Sequence, residues 1–182
     1  MNICITGYRP SKLPTEYGYD IHNAKWNQLR TIFYDVLHSL YIYHDYNLTL
    51  YTGMALGVDQ AFAEETFKFR NKFSHVRVIA AIPCYGQEVK WPIDSRQLYH
   101  DILKKCDSNE VITKSRFTPS CMETRNQWMV NHSDIIIGVY DGQGGGTKNC
   151  LAYAKKNNKK IITINPSSFI VHADKSVFEE TL

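Results

Sequence analysis

Short apolar segments alternate along the chain with longer segments of helical periodicity. The short segments are rich in β-branched residues, and runs of this length and composition are typical of strands buried in a parallel sheet. We therefore predict six strands. They cover residues 2–6, 47–51, 76–82, 110–113, 134–140 and 159–164.

Between these strands, apolar residues recur at steps of three and four. The clearest case is residues 21–43, where Trp26, Leu29 and Phe33 follow this spacing and predict an amphipathic helix. Further helices are predicted over residues 58–71, 94–106, 121–132 and 147–157. The alternation predicts an α/β fold, a doubly wound and mostly parallel sheet of about six strands with helices on both faces.

The chain has no internal repeat and no linker that would divide it. We predict a single domain over residues 1–182, with its core in residues 2–166. The tail, residues 167–182, has little periodicity, and we expect a short extra helix or disorder there.

Two glycine-rich turns each connect a predicted strand to the following helix. One contains Gly53 and Gly57, and the other covers residues 141–146, after which Thr147 opens a helix. Free N–H groups and the helix dipole make such a turn suitable for a phosphate. We therefore predict a nucleotide-type site where the turns converge. The alternative is that the glycines only allow the chain to turn.

Charged side chains near these turns are candidate ligand contacts. Arg9 follows the first strand, and Arg125 lies among apolar neighbours, where a guanidinium must find an anion or reach solvent. Asp59 is either a helix cap or a ligand contact. The predicted ligand-binding residues are Gly7, Arg9, Gly53, Gly57, Asp59, Arg125, Asp141, Gly144, Gly145, Gly146 and Thr147.

An aromatic loop, residues 84–92, follows the third predicted strand. It lies at the sheet edge where α/β proteins bind ligands. Trp91 or Tyr85 could stack on a base there, or either could pack as a lid on the core. The chain also has 12 tyrosines, many of them in residues 21–43 or just beyond. We interpret them as core residues, with a partner surface as the alternative.

Composition narrows the possible classes of protein. With 182 residues, 43% of them hydrophobic, the chain can bury a sizeable core. Its net charge of +3 is only mildly basic, and it falls well short of the clustered Lys and Arg residues expected for a dedicated nucleic-acid binder. A small anionic ligand would account for this charge.

Cysteine usage and hydropathy predict a cytoplasmic protein without a membrane partner. No apolar run approaches the roughly 20 residues that a membrane span requires, and the N-terminus lacks the pattern of a signal peptide. The cysteines have neither C-x-x-C nor metal-ligand spacing, so we expect free thiols and no metal site. They are Cys4, Cys84, Cys106, Cys121 and Cys150.

Taken together, these motifs resemble the YpsA-like family of the SLOG superfamily, which also contains DprA and the LOG cytokinin-activating enzymes. The resemblance implies a Rossmann-like fold and a nucleotide or nucleotide-derived ligand at the C-terminal edge of the sheet. It covers residues 2–166. The matching motifs are ITGYRP at 5–10, TGMALGVD at 52–59, IPCYGQE at 82–88, RN at 125–126 and SDIIIGVYDGQGGGT at 133–147.

LOG-type enzymes cleave the N-glycosidic bond of nucleoside monophosphates with an Arg and a Glu. Arg125 matches the Arg position, but Asn149 stands at the Glu position. Because an amide cannot replace a carboxylate as a base, this chemistry needs another carboxylate. The catalytic candidates are Asp59, Glu88 and Asp141.

DprA-like members instead bind single-stranded DNA, but the sequence shows no evident basic and aromatic stripe for this role. Binding or sensing of a small phosphate-containing, nucleotide-like ligand is the favoured function. A nucleotide N-glycosidic or ribosyl-phosphate hydrolase is the alternative, so enzymatic activity stays open. A nucleic-acid or protein-interaction module is the second alternative. No other cofactor is identified, and a homo-oligomer is possible because related folds often dimerise through helices.

Overall fold

The computed structural model describes residues 1–178, and the elements predicted from the sequence are all present. The strands are β1 (Asn2–Gly7), β2 (Leu48–Thr52), β3 (Val76–Ile82), β4 (Ser108–Val111), β5 (Ile135–Val139), β6 (Lys160–Ile164) and β7 (Val171–Ala173). The helices are α1 (Ala24–Tyr43), α2 (Val58–Arg70), α3 (Ile93–Lys105), α4 (Cys121–Asn131) and α5 (Gly146–Lys156). None of these helices has the length and apolar character needed to cross a bilayer.

The strands form one sheet in the order β4-β3-β2-β1-β5-β6-β7. All neighbouring pairs are parallel except β6 and β7, which confirms the predicted mostly parallel sheet. From β1 the chain builds outward to β4 and then returns to the other side of β1 as β5. The loops after β1 and β5 therefore diverge at a topological switch point, where open α/β sheets bind ligands.

Helices cover both faces of the sheet, and the alternation of side chains along β1 shows how. Ile3 and Ile5 belong to a core that also contains Phe33 of α1. Cys4, between them, belongs to a second core that contains Leu151 of α5. Successive strand residues point to opposite faces, so one strand contributes to two helical layers, as the doubly wound prediction requires.

The C-terminal segment, for which a short extra helix or disorder was predicted over residues 167–182, contains a strand that the prediction missed. Val171–Ala173 forms β7, antiparallel to β6, and a 3-10 turn over Lys175–Phe178 follows it. Residues 179–182 lie outside the described part. A three-residue strand that is exposed throughout has no alternation of apolar and polar residues, so the pattern could not reveal it.

Strand β4 also begins two residues earlier than the predicted range, 110–113. Its bounds are set by pairing with β3, in which Ser108 lies opposite Ile79 and Val111 opposite Ile82. The prediction followed the apolar residues Val111 and Ile112. Backbone pairing at the sheet edge begins in the polar residues before them.

Candidate functional site

The loops after β1, β2 and β5 meet the first half of α4 around a cavity of about 280 Å³. We call this cavity the inner lobe. Several residues predicted from separate motifs line it together. These are Gly7, Arg9, Asp59, Arg125, Gly146 and Thr147.

Arg125 is the most buried cation of the inner lobe, with 4% of its surface exposed. It lies one helical turn from both Cys121 and Met129, on the face of α4 that is buried against the sheet. Its Nη1 donates to the carbonyl oxygen of Gly53, and its Nε donates to Asn126 Oδ1 at 2.8 Å. Burial lowers the pKa of Arg125, and the nearby Asp59 carboxylate opposes this effect.

Gly53 does not line the inner lobe, but it determines where the Arg125 guanidinium can lie. A Cβ atom at Gly53 would overlap Arg125 Nη1 and Cζ. Glycine is therefore required at this point of the turn after β2, because the guanidinium approaches the backbone directly.

Asp59 is the carboxylate of the inner lobe, and it is 4% exposed. Its Oδ2 accepts a hydrogen bond from the N–H of Ala55 at 3.2 Å, so it braces the turn that precedes α2. Burial raises the pKa of Asp59 to about 6, although Arg125 and Arg9 act in the opposite direction. Within residues 1–178, Asp59 and Arg125 form no direct ion pair. The Asp59 carboxylate thus braces the turn and lines the cavity.

The glycine turn after β5 brings the N-terminus of α5 to the inner lobe. Gly145 precedes the helix with a φ of 132°, a conformation that favours glycine. Gly146 and the buried Thr147 then form the first turn of α5 at the cavity wall. Lys12 Nζ donates to the carbonyl oxygen of Gly144 at 3.1 Å. The first N–H groups of a helix have no partner within the helix, so this wall is suited to an anion.

A second cavity, of about 1030 Å³, adjoins the inner lobe and shares Arg9, Ser11 and Met122 with it. We call it the outer lobe. Its aromatic residues include Tyr85, Trp91 and Phe117. Together the two lobes form one cleft, polar at its inner end and aromatic at its outer end.

The aromatic residues of the outer lobe differ in how far they are free to contact a ligand. Tyr85 is 54% exposed and Phe117 is 62% exposed, whereas Trp91 packs edge-on against Tyr99 at 5.6 Å between ring centroids. Trp91 therefore does pack on the core, one of the alternatives considered for it. The exposed Tyr85 side chain does not pack as a lid on the core. The backbone N–H of Tyr85 donates to the Ser115 carbonyl oxygen at 3.0 Å.

The fold also corrects the expectation that no basic and aromatic stripe is present. Arg9, Lys90 and Arg116 line the outer lobe beside Tyr85 and Phe117. These residues come from the loops after β1, β3 and β4. They are far apart in the sequence but converge at the carboxyl ends of the strands.

A model of the YspA SLOG family matches residues 3–169. The chain belongs to this family. The resemblance noted in the sequence is therefore confirmed, as is the Rossmann-like character of the fold.

Curated bacterial relatives extend the match. This SLOG protein is 37% identical over 116 residues to the SPbeta prophage-derived protein YoqJ of Bacillus subtilis strain 168, covering 58% of this chain and 68% of YoqJ. It is 28% identical over 185 residues to the UPF0398 protein BCB4264_A1614 of Bacillus cereus strain B4264. That second match covers 98% of this chain and 95% of the relative.

Two solved structures share the fold. DNA processing protein A (DprA) from Streptococcus pneumoniae superposes with a TM-score of 0.61 at 18% identity, over 92% of this chain and 51% of that one. The protein of the same name from Helicobacter pylori, whose structure concerns its single-stranded DNA binding mode, gives 0.58 at 17% identity, over 91% and 65%. The SLOG protein thus spans about half of one DprA chain and about two thirds of the other.

The other predicted site residues do not line the inner lobe. Asp141 holds the glycine turn in place, because its carboxylate accepts hydrogen bonds from the Tyr8 hydroxyl at 2.9 Å and from the Gln143 N–H at 3.1 Å. Glu88 Oε1 lies 3.8 Å from Nε2 of His100 on α3. The residues that belong to the surrounding turns rather than to the lining are Gly53, Gly57, Asp141, Gly144 and Gly145.

Several lining residues were missed by the sequence analysis. Ser11 and Lys12 lie in or at the end of the 3-10 turn over Pro10–Lys12. Arg9 and Lys12, the basic residues that follow Gly7 at the end of β1, were the feature of the sequence that could have identified this segment. Asn126 was quoted only as the neighbour of Arg125, although it both lines the lobe and binds the guanidinium.

Proposed function

We propose that this SLOG protein binds a nucleotide or nucleotide-derived ligand across the cleft, with its phosphate in the inner lobe and its base in the outer lobe. The observation that carries the proposal is the buried Arg125 guanidinium, which lines the inner lobe and is paired with no carboxylate of residues 1–178. A buried charge is stable only when it is compensated. A phosphate can supply that compensation.

The charges around the inner lobe support a phosphate rather than a neutral group. Arg9, Lys12 and Arg125 contribute three cations, and Asp59 contributes one carboxylate. The N-terminus of α5 adds a helix dipole at the same wall. Arginine side chains and backbone N–H groups are the usual partners of phosphate oxygens.

The outer lobe supports a planar group on the same ligand. Tyr85 and Phe117 expose aromatic surface at this lobe, and the stacking of a base on an aromatic ring contributes about 1–3 kcal/mol. Arg9 and Met122 belong to both lobes. A phosphate and a base joined through a ribose could therefore occupy the two lobes at once.

Isothermal titration with AMP, ADP, ADP-ribose and adenosine tests the proposal. We expect the phosphorylated compounds to bind and adenosine to bind at least tenfold more weakly. The Arg9→Gln variant should weaken binding of the phosphorylated compounds because exposed Arg9 borders both lobes. Arg77→Gln is the matched control. Arg77 is an exposed arginine near the N-terminal end of β3, whereas the cleft lies at the carboxyl ends of the strands. No heat with any phosphorylated compound from a folded protein would overturn the proposal.

Single-stranded nucleic acid is a second candidate ligand, favoured by the exposed aromatic residues and the basic residues of the outer lobe. Basic grooves with aromatic platforms bind such strands with little sequence preference. Fluorescence anisotropy with a labelled oligothymidine at increasing salt separates the two functions. Strand binding should weaken steeply with salt because counterions are released. Binding of mononucleotides without any strand binding would rule out this candidate.

A further inference from the structure

Two cysteines from distant parts of the chain meet behind the wall of the outer lobe. Cys84 follows β3, and Cys121 is the first residue of α4. Their sulfur atoms lie 3.4 Å apart, within hydrogen-bond distance, and both residues are buried. Both are free thiols, and the cleft chemistry described above uses neither.

The separation of the sulfurs is small enough for a covalent bond to form. A disulfide requires about 2.05 Å between sulfurs, so they would approach each other by about 1.4 Å. Cys84 lies in a loop and Cys121 at a helix end, where small backbone adjustments are less costly than in the middle of the sheet. This pair could not be predicted from the sequence, because residues 84 and 121 are far apart in the chain.

We propose that Cys84 and Cys121 are a reversible thiol–disulfide modification site, oxidised by a small-molecule disulfide. The thiolate of Cys121 attacks one sulfur of the oxidant and releases one thiolate. The thiolate of Cys84 then attacks the Cys121 sulfur of the mixed disulfide and releases the second. The protein thiols lose two electrons to the oxidant, and their two protons pass to the released thiolates.

Position within the fold supports this order of attack. Cys121 begins α4, where the helix dipole favours negative charge. Burial raises the pKa of Cys84 to about 11, so little of Cys84 is thiolate at neutral pH and it is poorly suited to make the first attack. Tyr85 and Met122, the residues that directly follow the two cysteines, line the outer lobe. A local opening of this wall would therefore expose the two buried sulfurs to an oxidant in the lobe.

The disulfide would join the two walls of the cleft. It would connect the loop after β3 to α4, the helix that carries Arg125, and would close residues 84–121 into a ring. A cross-link of this size usually stabilises the folded state, and we expect Tm to rise by roughly 5–10 °C in the oxidised protein.

The test is incubation of the purified, reduced protein with oxidised glutathione and, in a separate arm, with the smaller disulfide cystamine. Before alkylation, mass spectrometry should find an intact protein lighter by two hydrogen atoms, and a digest of the alkylated protein should contain a peptide linking Cys84 to Cys121. Dithiothreitol should restore the reduced mass. Cys84→Ser and Cys121→Ser should each abolish the cross-link, whereas the control Cys106→Ser should retain it.

Two outcomes would overturn the proposal. One is a wild-type protein in which Cys84 and Cys121 remain unlinked after treatment with both oxidants. The other is a cross-linked protein whose Tm is no higher than that of the reduced form, which would mean that the bond does not fit the native fold. Both measurements use the wild-type chain, so they do not depend on the folding of any variant. Neither requires the cleft to bind a nucleotide.

Discussion

The guanidinium of Arg125 donates to the carbonyl oxygen of Gly53 and fills the space that a Cβ at Gly53 would need. The two residues come from different elements, the turn after β2 and helix α4. The glycine of this turn therefore holds a buried cation at the inner lobe rather than only allowing the chain to turn.

The first prediction follows from this contact between Gly53 and Arg125. Gly53→Ala should displace the guanidinium and reduce the free energy of unfolding by about 1–3 kcal/mol, as overpacking does. It should also weaken nucleotide binding. Urea unfolding and titration with AMP measure the two effects.

Gly144→Ala is the control within the other glycine turn, because a Cβ at Gly144 would meet nothing within 4 Å. We expect it to change stability by less than about 0.5 kcal/mol. Equal losses of stability in Gly53→Ala and Gly144→Ala would contradict the proposed role of Gly53.

The second prediction concerns the pH dependence of stability. The pKa of Asp59 in the folded protein is about 6, above its usual value of 3.8, chiefly because of burial. The folded state therefore binds the proton more tightly than the unfolded state, and stability falls as pH rises through this window. The whole loss contributed by Asp59 amounts to about 3 kcal/mol, of which about 2 kcal/mol falls between pH 4 and pH 6.

Asp59→Asn removes this titration, so its stability should fall less steeply than that of the wild type between pH 4 and pH 6. Urea unfolding at several pH values, with both proteins in the same buffers, measures the slopes. Asp94→Asn is the control, since Asp94 is exposed in the first turn of α3. Parallel curves for wild type and Asp59→Asn would show that Asp59 does not titrate in this way.

The third prediction concerns cleavage of a bound nucleotide, the chemistry suggested by the LOG resemblance. Among the candidates Asp59, Glu88 and Asp141, only Asp59 lines the inner lobe. If the protein releases free base from AMP, Asp59→Asn should abolish that release, whereas Glu88→Gln should retain it. Chromatography of the reaction mixture detects the base. Full turnover by Asp59→Asn would remove Asp59 as the acid or base.

The fourth prediction concerns the brace between the loops after β1 and β5. The Tyr8 hydroxyl donates to Asp141 at 2.9 Å, and a hydrogen bond to a carboxylate contributes about 1.5–3 kcal/mol when partly buried. Tyr8→Phe should lower the free energy of unfolding by about 1–2 kcal/mol. It should also speed amide hydrogen exchange in residues 141–146.

Tyr153→Phe is the matched control for that brace. The Tyr153 hydroxyl bonds to Asn131 at 3.3 Å in an exposed position, so its loss should cost less than about 0.5 kcal/mol. Unchanged exchange in residues 141–146 of Tyr8→Phe would show that Asp141 and Gln143 hold the turn without Tyr8.

The sequence was informative where local pattern and burial coincide. Helical spacing among apolar residues singled out Arg125 as a guanidinium that must find an anion or reach solvent, and the structure buries it. Glycines between a strand and a helix located the turn before Thr147. The sequence could not predict contacts that depend on the path of a loop. Phe117 reaches the outer lobe only because the segment after β4 passes beside Tyr85, and Lys12 reaches Gly144 only because the loops after β1 and β5 lie side by side.

The last prediction separates the two ends of the cleft. Phe117 exposes 62% of its surface at the outer lobe, so Phe117→Ala should remove stacking with a base and leave the phosphate contacts intact. Stacking of about 1–3 kcal/mol corresponds to a roughly 5- to 150-fold weaker affinity for AMP. Ribose 5-phosphate, which lacks the base, should bind the variant as it binds the wild type.

Tyr46→Ala is the control for loss of an exposed aromatic residue, because Tyr46 is 55% exposed in the segment between α1 and β2, away from both lobes. Titration of the three proteins with AMP and ribose 5-phosphate gives the comparison. If Phe117→Ala weakened both ligands equally, the outer lobe would not be the base site. A loss confined to AMP would support the assignment of base and phosphate to separate lobes, because only the group that stacks would have lost its partner.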